Sequence, residues 1–314
     1  MKIALLTGGT GGVKLLLGLC KVLDPHNLKI IVNTGDNFTW NGLYIAPDVD
    51  TVVYALAGML DLSKMWGVCG DTFHFLVQAE ILGLESTWFR IGDKDLAMHV
   101  LRTHLMKRGY TLSQVTRYVC ERLRVLAEVI PMTDAHVETH VLTEIGDLHI
   151  QEFLVKYSRS LTPLGITIKG VEEAEATREA INAIKSSDAV VLGPSSPPVS
   201  ILPILLTRPI GDLLRRLDRP KIAISPLIGS RPVSGVTDRL LRALGYRGDV
   251  TGVAELYSKY GVTHMVVHKD EREDNVELIR GLGMEVIKEN IVMESLDQAA
   301  RLAERVLKLA LSGS

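Results

Sequence analysis

Three aspartates, Asp36, Asp48 and Asp50, lie close together in the stretch NTGDNFTWNGLYIAPDVDTVVY, from Asn33 to Tyr54. Carboxylates that converge in this way can hold a hard divalent cation such as Mg2+, which prefers oxygen ligands. Asp36 alone can instead accept from a ribose hydroxyl, as the acid after the second strand does in dinucleotide-binding folds. Asp48 and Asp50 have a plainer reading. Acids in the first turn of a helix stabilise it by about 0.3–1 kcal/mol each, and Asp48 is placed to be an N-cap. Capping needs neither Asp36 nor the three amides Asn33, Asn37 and Asn41, which look exposed.

Gly8, Gly9, Thr10, Gly11 and Gly12 form a second group. A strand that feeds a helix through glycines presents free backbone N–H groups at the positive helix end, where a phosphate can approach. The spacing is neither G-x-G-x-x-G nor G-x-x-x-x-G-K-[ST], so the loop is a generic phosphate cradle or a tight turn. Lys14 is either a point charge for that phosphate or a solvated helix residue. A third group is WFRIGDKDLAMH, Trp88 to His99, where two aromatics and Arg90 suit a planar ligand or a packed pair beside a charged turn. GPSSPPVSI and SPLIGSRPVSG are hydroxyl-rich loops that each follow an apolar run. His74, His99, His104 and His268 are scattered, and no Ser-His-Asp or Cys-His set is legible.

Placing these groups together requires a particular scaffold. KIALLT is a short buried strand bounded by glycines, VKLLLGLCKVL has helical periodicity, and LKIIVNT is a second strand. That order opens a doubly wound α/β sheet, whose ligands bind beyond the carboxyl ends of the strands. After Pro47 the apolar positions Val49, Val52, Val53, Leu56 and Leu60 mark one helix face. Helices are also expected over DTFHFLVQAEILG and DKDLAMHVLRTHLMKRG, and one long helix from Thr111 to Ile130 ended by PMTD. HVETHVLTEIGDLHIQEFLVKY alternates around EIGD, as a hairpin does. The expected organisation is a single α/β domain over 1–314, Rossmann-like and mostly parallel with helices on both faces. It carries a small α+β insertion, helix plus hairpin, over about 111–169. AVVL, KIAI and HMVVHK continue the strands, and SLDQAARLAERVLKLAL is a closing amphipathic helix.

Bulk properties exclude some functions. A net charge of -2 without basic blocks argues against a nucleic-acid groove. No apolar run approaches the ~20 residues of a membrane span, so no membrane role is expected. Three widely separated cysteines imply neither a disulfide framework nor a metal site, which fits a reducing cytoplasm.

Taken in order, GGTGG, NTGDNFTWNGLYIAPDVDT, WGVCGDTF, WFRIGDKDLAMH, GPSSPPVSILPIL and ISPLIGSRPVSG resemble the 2-phospho-L-lactate transferases, the CofD-type enzymes of coenzyme F420 biosynthesis. The resemblance runs from residue 8 to about residue 235. It implies a Rossmann-like fold and a Mg2+-dependent transfer. The donor is a guanosine-diphosphate-activated lactate or enolpyruvate, the acceptor is the ribityl hydroxyl of the deazaflavin Fo, and GMP leaves. It further implies that Gly9, Thr10 and Gly11 hold donor phosphates and that Asp50 and Arg90 lie against Fo. Ser195, Ser196 and Ser200 seat the nucleotide, and Asp36, Asp48 and Asp50 are the metal candidates. Asp50 is the candidate acceptor of the hydroxyl proton. The chain departs from the family pattern at Ser196, where the family has Asn, at Asn37, where it has a second acid, and at Val236, where it often has Pro. A homodimer is expected, as is common for such folds. A nucleotide-sugar-binding regulator of the gluconeogenesis-factor type shares the glycine loop but resembles this chain less at APDVDT and WFRIGDKD. An NAD-dependent dehydrogenase is disfavoured by the glycine spacing.

Overall fold

The structure, a computed structural model, describes residues 1–312. Strand β1 (Ile3–Thr7) enters helix α1 (Gly9–Val22), and β2 (Leu28–Val32) follows. A ribbon of β3 (Phe38–Trp40) and β4 (Leu43–Ile45) leads to helices α2 (Pro47–Leu56), α3 (His74–Ile81), α4 (Asp93–Lys107) and α5 (Leu112–Arg122). Then come β5 (Glu128–Pro131), β6 (Glu138–Thr143), β7 (Gly146–His149), β8 (Gly165–Lys169), β9 (Ala189–Leu192) and β10 (Lys221–Ile224). A short ribbon of β11 (Leu227–Ile228) and β12 (Arg231–Pro232) precedes β13 (His264–His268) and β14 (Glu285–Glu289), and a helix over Leu296–Ser312 closes the fold.

Seven strands form one parallel sheet in the order β14-β13-β10-β9-β1-β2-β5. Alternation along β1 explains its two-sided burial. Ile3 and Leu5 join the core under α1, α2 and the closing helix, whereas Ala4 and Leu6 join the core on the opposite face. The chain runs outward in both directions from the boundary between β1 and β9, so that boundary is the topological switch point. The loops after β1 and β9 diverge there, and Gly193 N donates to Leu6 O at 3.0 Å across it.

The expected helix from Thr111 to Ile130 is corrected. Its first half is α5, but Arg124 adopts φ 56° and ends the helical run, and Glu128–Pro131 becomes the edge strand β5 beside β2. An apolar run as short as that of β5 carries no periodicity that separates strand from helix. The hairpin forms as β6 and β7, and β8 extends it into a three-stranded antiparallel sheet. The continuation IQEFLVKY is helical rather than extended. Among the described residues no helix is long and apolar enough to cross a membrane.

Candidate active site

The loop between β1 and α1 is shaped by its neighbours. Gly9 has φ +62°, the left-handed region that favours glycine. A Cβ on Gly8 would overlap the Asp48 carboxylate and lie 2.9 Å from Ser200 Cβ. Asp48 Oδ1 accepts from Gly9 N at 2.6 Å. Ser195 Oγ accepts from Gly8 N at 3.3 Å. The glycines therefore let α2 and the loop after β9 close on the first turn of α1.

Asp48 does not cap α2. The N-cap position belongs to Ala46, and no side chain bonds there. Asp48 instead shares Asn33 with Asp36. Asn33 Nδ2 donates to Asp48 Oδ2 at 2.9 Å and to Asp36 Oδ1 at 3.4 Å. Asn33 and Asn37 are buried, contrary to their polar appearance, and Asn41 is exposed. Gln151 Nε2 donates to the other Asp36 oxygen at 2.9 Å. Burial, followed by repulsion from Asp48, pushes the Asp36 carboxyl well above the usual carboxylate range. Burial also raises Asp48, opposed by its bonds from Asn33 and Gly9.

Asp50 faces a different partner. Arg102 on α4 is fully buried and grips both carboxylate oxygens, one of them at 3.0 Å. Burial raises the Asp50 carboxyl, and Arg102 pulls the other way. Asp50, Asp95 and His99 are the one set of three potential ligand residues among the described residues whose ligand atoms lie within 4.8 Å of one another. Arg102 already pairs with Asp50 there, and Tyr54 donates to Asp95 Oδ1 at 2.6 Å. The three aspartates singled out in the sequence thus divide into a pair bridged by Asn33 and a separate member clamped by Arg102.

Two cavities meet at this point. One, of about 340 Å³, is lined by Asp50, Tyr54, Trp66, Phe89, Arg90 and His99 among others. The other, of about 250 Å³, lies against Gly11, Asp36, Ser195, Ser196, Ser200 and Thr237. Gly9, Thr10, Asp48 and Gln151 line both and form their shared wall. No Lys, Arg or His stands among the described residues lining the second cavity. Among the described residues the Ser196 hydroxyl, buried there, has no hydrogen-bond partner.

Other sequence candidates find different places. Lys14 lies in a separate groove beside Leu17 and Met293. Trp88 stacks on Phe38, with centroids 5.9 Å apart, inside a small aromatic cluster, while Phe89 reaches the first cavity. Arg90 packs over the Phe73 ring at 4.7 Å. The turns at Gly70-Asp71 and Gly92-Asp93 brace one another. Asp71 Oδ1 accepts from Lys94 N at 2.8 Å, and Asp93 Oδ1 accepts from Phe75 N at 2.9 Å. Sequence reasoning missed Tyr54, Trp66, Arg102 and Gln151. Arg102 carried one signal, its spacing of i and i+3 from His99 on one helix, but nothing in the sequence joins it to Asp50.

The family model described as 2-phospho-L-lactate transferase CofD matches residues 3–294. The chain is 39% identical over 310 residues to the 2-phospho-L-lactate transferase of Methanopyrus kandleri, covering 98% of this chain and 97% of that protein. It is 34% identical over 314 residues to the phosphoenolpyruvate transferase of Streptomyces coelicolor, covering 99% and 98%. The crystal structure of protein BH3568 from Bacillus halodurans shares its fold, with a TM-score of 0.65 at 19% identity and coverage of 98% and 99%.

Proposed function

Because the chain belongs to the 2-phospho-L-lactate transferase CofD family, we propose that it moves a 2-phospholactyl or phosphoenolpyruvyl group from a guanosine-diphosphate-activated donor to the ribityl hydroxyl of Fo. GMP leaves, and the product is a precursor of coenzyme F420. The observation that carries this reading is the pair of cavities with one wall in common. Phosphoryl transfer needs attacking and leaving oxygens on opposite sides of one phosphorus, held in line. A phosphorus at the wall of Gly9, Thr10, Asp48 and Gln151 meets that requirement.

The cavity with Ser195, Ser196 and Ser200 takes the nucleotide, and the Ser196 hydroxyl gains the partner it lacks. Gly9, Thr10 and Gly11 turn the amino end of α1 toward the phosphates. The other cavity takes the deazaflavin, whose planar ring suits Trp66 and Phe89, with Arg90 at its edge. In the transfer the acceptor oxygen forms a bond to the phosphorus that bears the acid, the bond from that phosphorus to the GMP oxygen breaks, and the hydroxyl proton must leave. Asp50 lines the acceptor cavity, and burial raises its affinity for that proton. Arg102 fixes its orientation.

Asp36 and Asp48 fit Mg2+. They are two buried, mutually repelling oxygen donors in a cavity whose described lining has no cationic side chain to neutralise them or a diphosphate. Mg2+ held by Asp36 and Asp48 would supply the positive charge that a diphosphate requires there. Incubation with Fo, Mg2+ and each candidate donor, followed by mass spectrometry, tests the reading. The expected products are the phospho-acid ester of Fo and GMP. Nucleotide binding with no transfer from any donor would overturn it and favour a nucleotide-sugar-binding regulator.

A further inference from the structure

We propose that Gln151 reads the carboxylate of the three-carbon acid on the donor and is a specificity-determining residue of that site. The inference rests on the transfer reading above. The acid is esterified at the carbon next to its carboxylate, so the carboxylate must lie beside the reacting phosphorus, at the wall between the cavities. Four residues form that wall, and three are unsuited. Asp48 repels a carboxylate. The Gly9 N–H is engaged by Asp48 at 2.6 Å. Thr10 stands on the first turn of α1, among the amides that suit phosphate.

Gln151 is a neutral amide with donors to spare. It has two N–H bonds, of which one goes to Asp36 Oδ2 at 2.9 Å. Among the described residues its second N–H has no partner. A neutral donor can bind a carboxylate without competing with a cation for Asp36 and Asp48. The nucleotide cavity offers no Lys, Arg or His for the task among its described lining residues.

The placement of Gln151 is built rather than incidental. It follows β7, outside the main sheet. His149 Nδ1 accepts from Gln151 N at 3.2 Å, and His149 Nε2 donates to Asn37 O at 3.2 Å. A neutral imidazole accepts at one nitrogen and donates at the other, and burial keeps His149 neutral by pushing its pKa down to about 4. The next turn, Phe153–Tyr157, is a π-helix, a rare form that often marks functional positions. Phe153 packs in one small core with Ile150 and Val199, and so fixes this segment to the loop after β9. The three-stranded sheet thereby carries one side chain to the wall between the two cavities.

Calorimetric titration without Fo tests the assignment. GDP and lactyl-GDP are each added, with Mg2+, to wild type, Gln151→Ala and Gln151→Met. Methionine keeps the side-chain volume and removes only the amide. A hydrogen bond to a charged group predicts that both variants bind lactyl-GDP about tenfold more weakly or worse. GDP, which lacks the acid, should weaken severalfold less than lactyl-GDP, the part it loses coming from the Gln151 bond to Asp36, and KM for the donor should rise more than kcat falls. Parallel weakening of GDP and lactyl-GDP, or unchanged lactyl-GDP binding, would overturn the role of Gln151. Failure of the wild type to bind either ligand would instead refute the transfer reading itself.

Discussion

Asp48 Oδ1 accepts the backbone N–H of Gly9 at 2.6 Å, and this bond joins the first turn of α2 to the first turn of α1. It places a buried carboxylate at the wall between two cavities, beside a loop whose amides suit phosphate. A helix-start acid that does not cap its own helix and instead bonds the start of another is a costly arrangement for the fold alone, since burial raises the Asp48 carboxyl.

Gly8→Ala should act through Asp48. The added methyl overlaps the Asp48 carboxylate and crowds Ser200, so the wall must shift. A displacement of about 1 Å at a reacting centre can cost about 100-fold in rate. Steady-state transfer assays should show a kcat loss of that order, and a Gly8→Ala enzyme with wild-type kcat would contradict the placement.

Arg102→Met should be far more damaging than an ordinary surface change. It leaves Asp50 buried without its partner, which costs about 3–5 kcal/mol. The double variant Asp50→Asn with Arg102→Met should recover part of the loss. Denaturant unfolding of the two single variants and the double variant measures the coupling.

Cation binding should separate the aspartates. Asp36→Asn removes one of two carboxylates bridged by Asn33 and should weaken Mn2+ binding, read by electron paramagnetic resonance, at least about tenfold. Asp50→Asn should leave Mn2+ affinity within about threefold, because that carboxylate is committed to Arg102. Equal losses in the two variants would place Asp50 among the ligands.

The acidic pair also fixes a pH dependence. Asp36 and Asp48 have folded-state pKa values raised above their unfolded ones. From the ordinary carboxylate range up to those raised values the folded chain holds more protons than the unfolded chain, so their contribution to stability falls as pH rises. Mg2+ should relieve this repulsion where the pair is charged. The rise in Tm on adding Mg2+ should therefore be larger at about pH 7.5 than at about pH 5.5, and vanish in Asp36→Asn. A rise that is independent of pH would contradict the assignment.

Much of this was legible in the sequence because it depends on local pattern. The glycine-bounded strand β1 and the helical face after Pro47 follow from period and punctuation, and the loops after β1, β2 and β9 follow from their place at strand ends. What escaped was long-range. Arg102 meets Asp50 across 52 positions, and Gln151 meets Asp36 across 115, so no spacing rule connects them. The edge strand β5 is ambiguous in the sequence because four residues carry too little periodicity to separate strand from helix. Asn33 looked exposed because amides usually are, and its buried place between two carboxylates is visible only in three dimensions.

A structure determined with GDP, Mg2+ and Fo bound together tests the central claim most directly. The diphosphate is predicted to lie against Gly9, Thr10 and Gly11 with guanosine beside Ser195, Ser196 and Ser200. The deazaflavin should lie on the far side of Asp48, near Trp66 and Phe89, with its ribityl end toward the wall. Nucleotide and deazaflavin in the same cavity, or a diphosphate remote from Asp36 and Asp48, would contradict it.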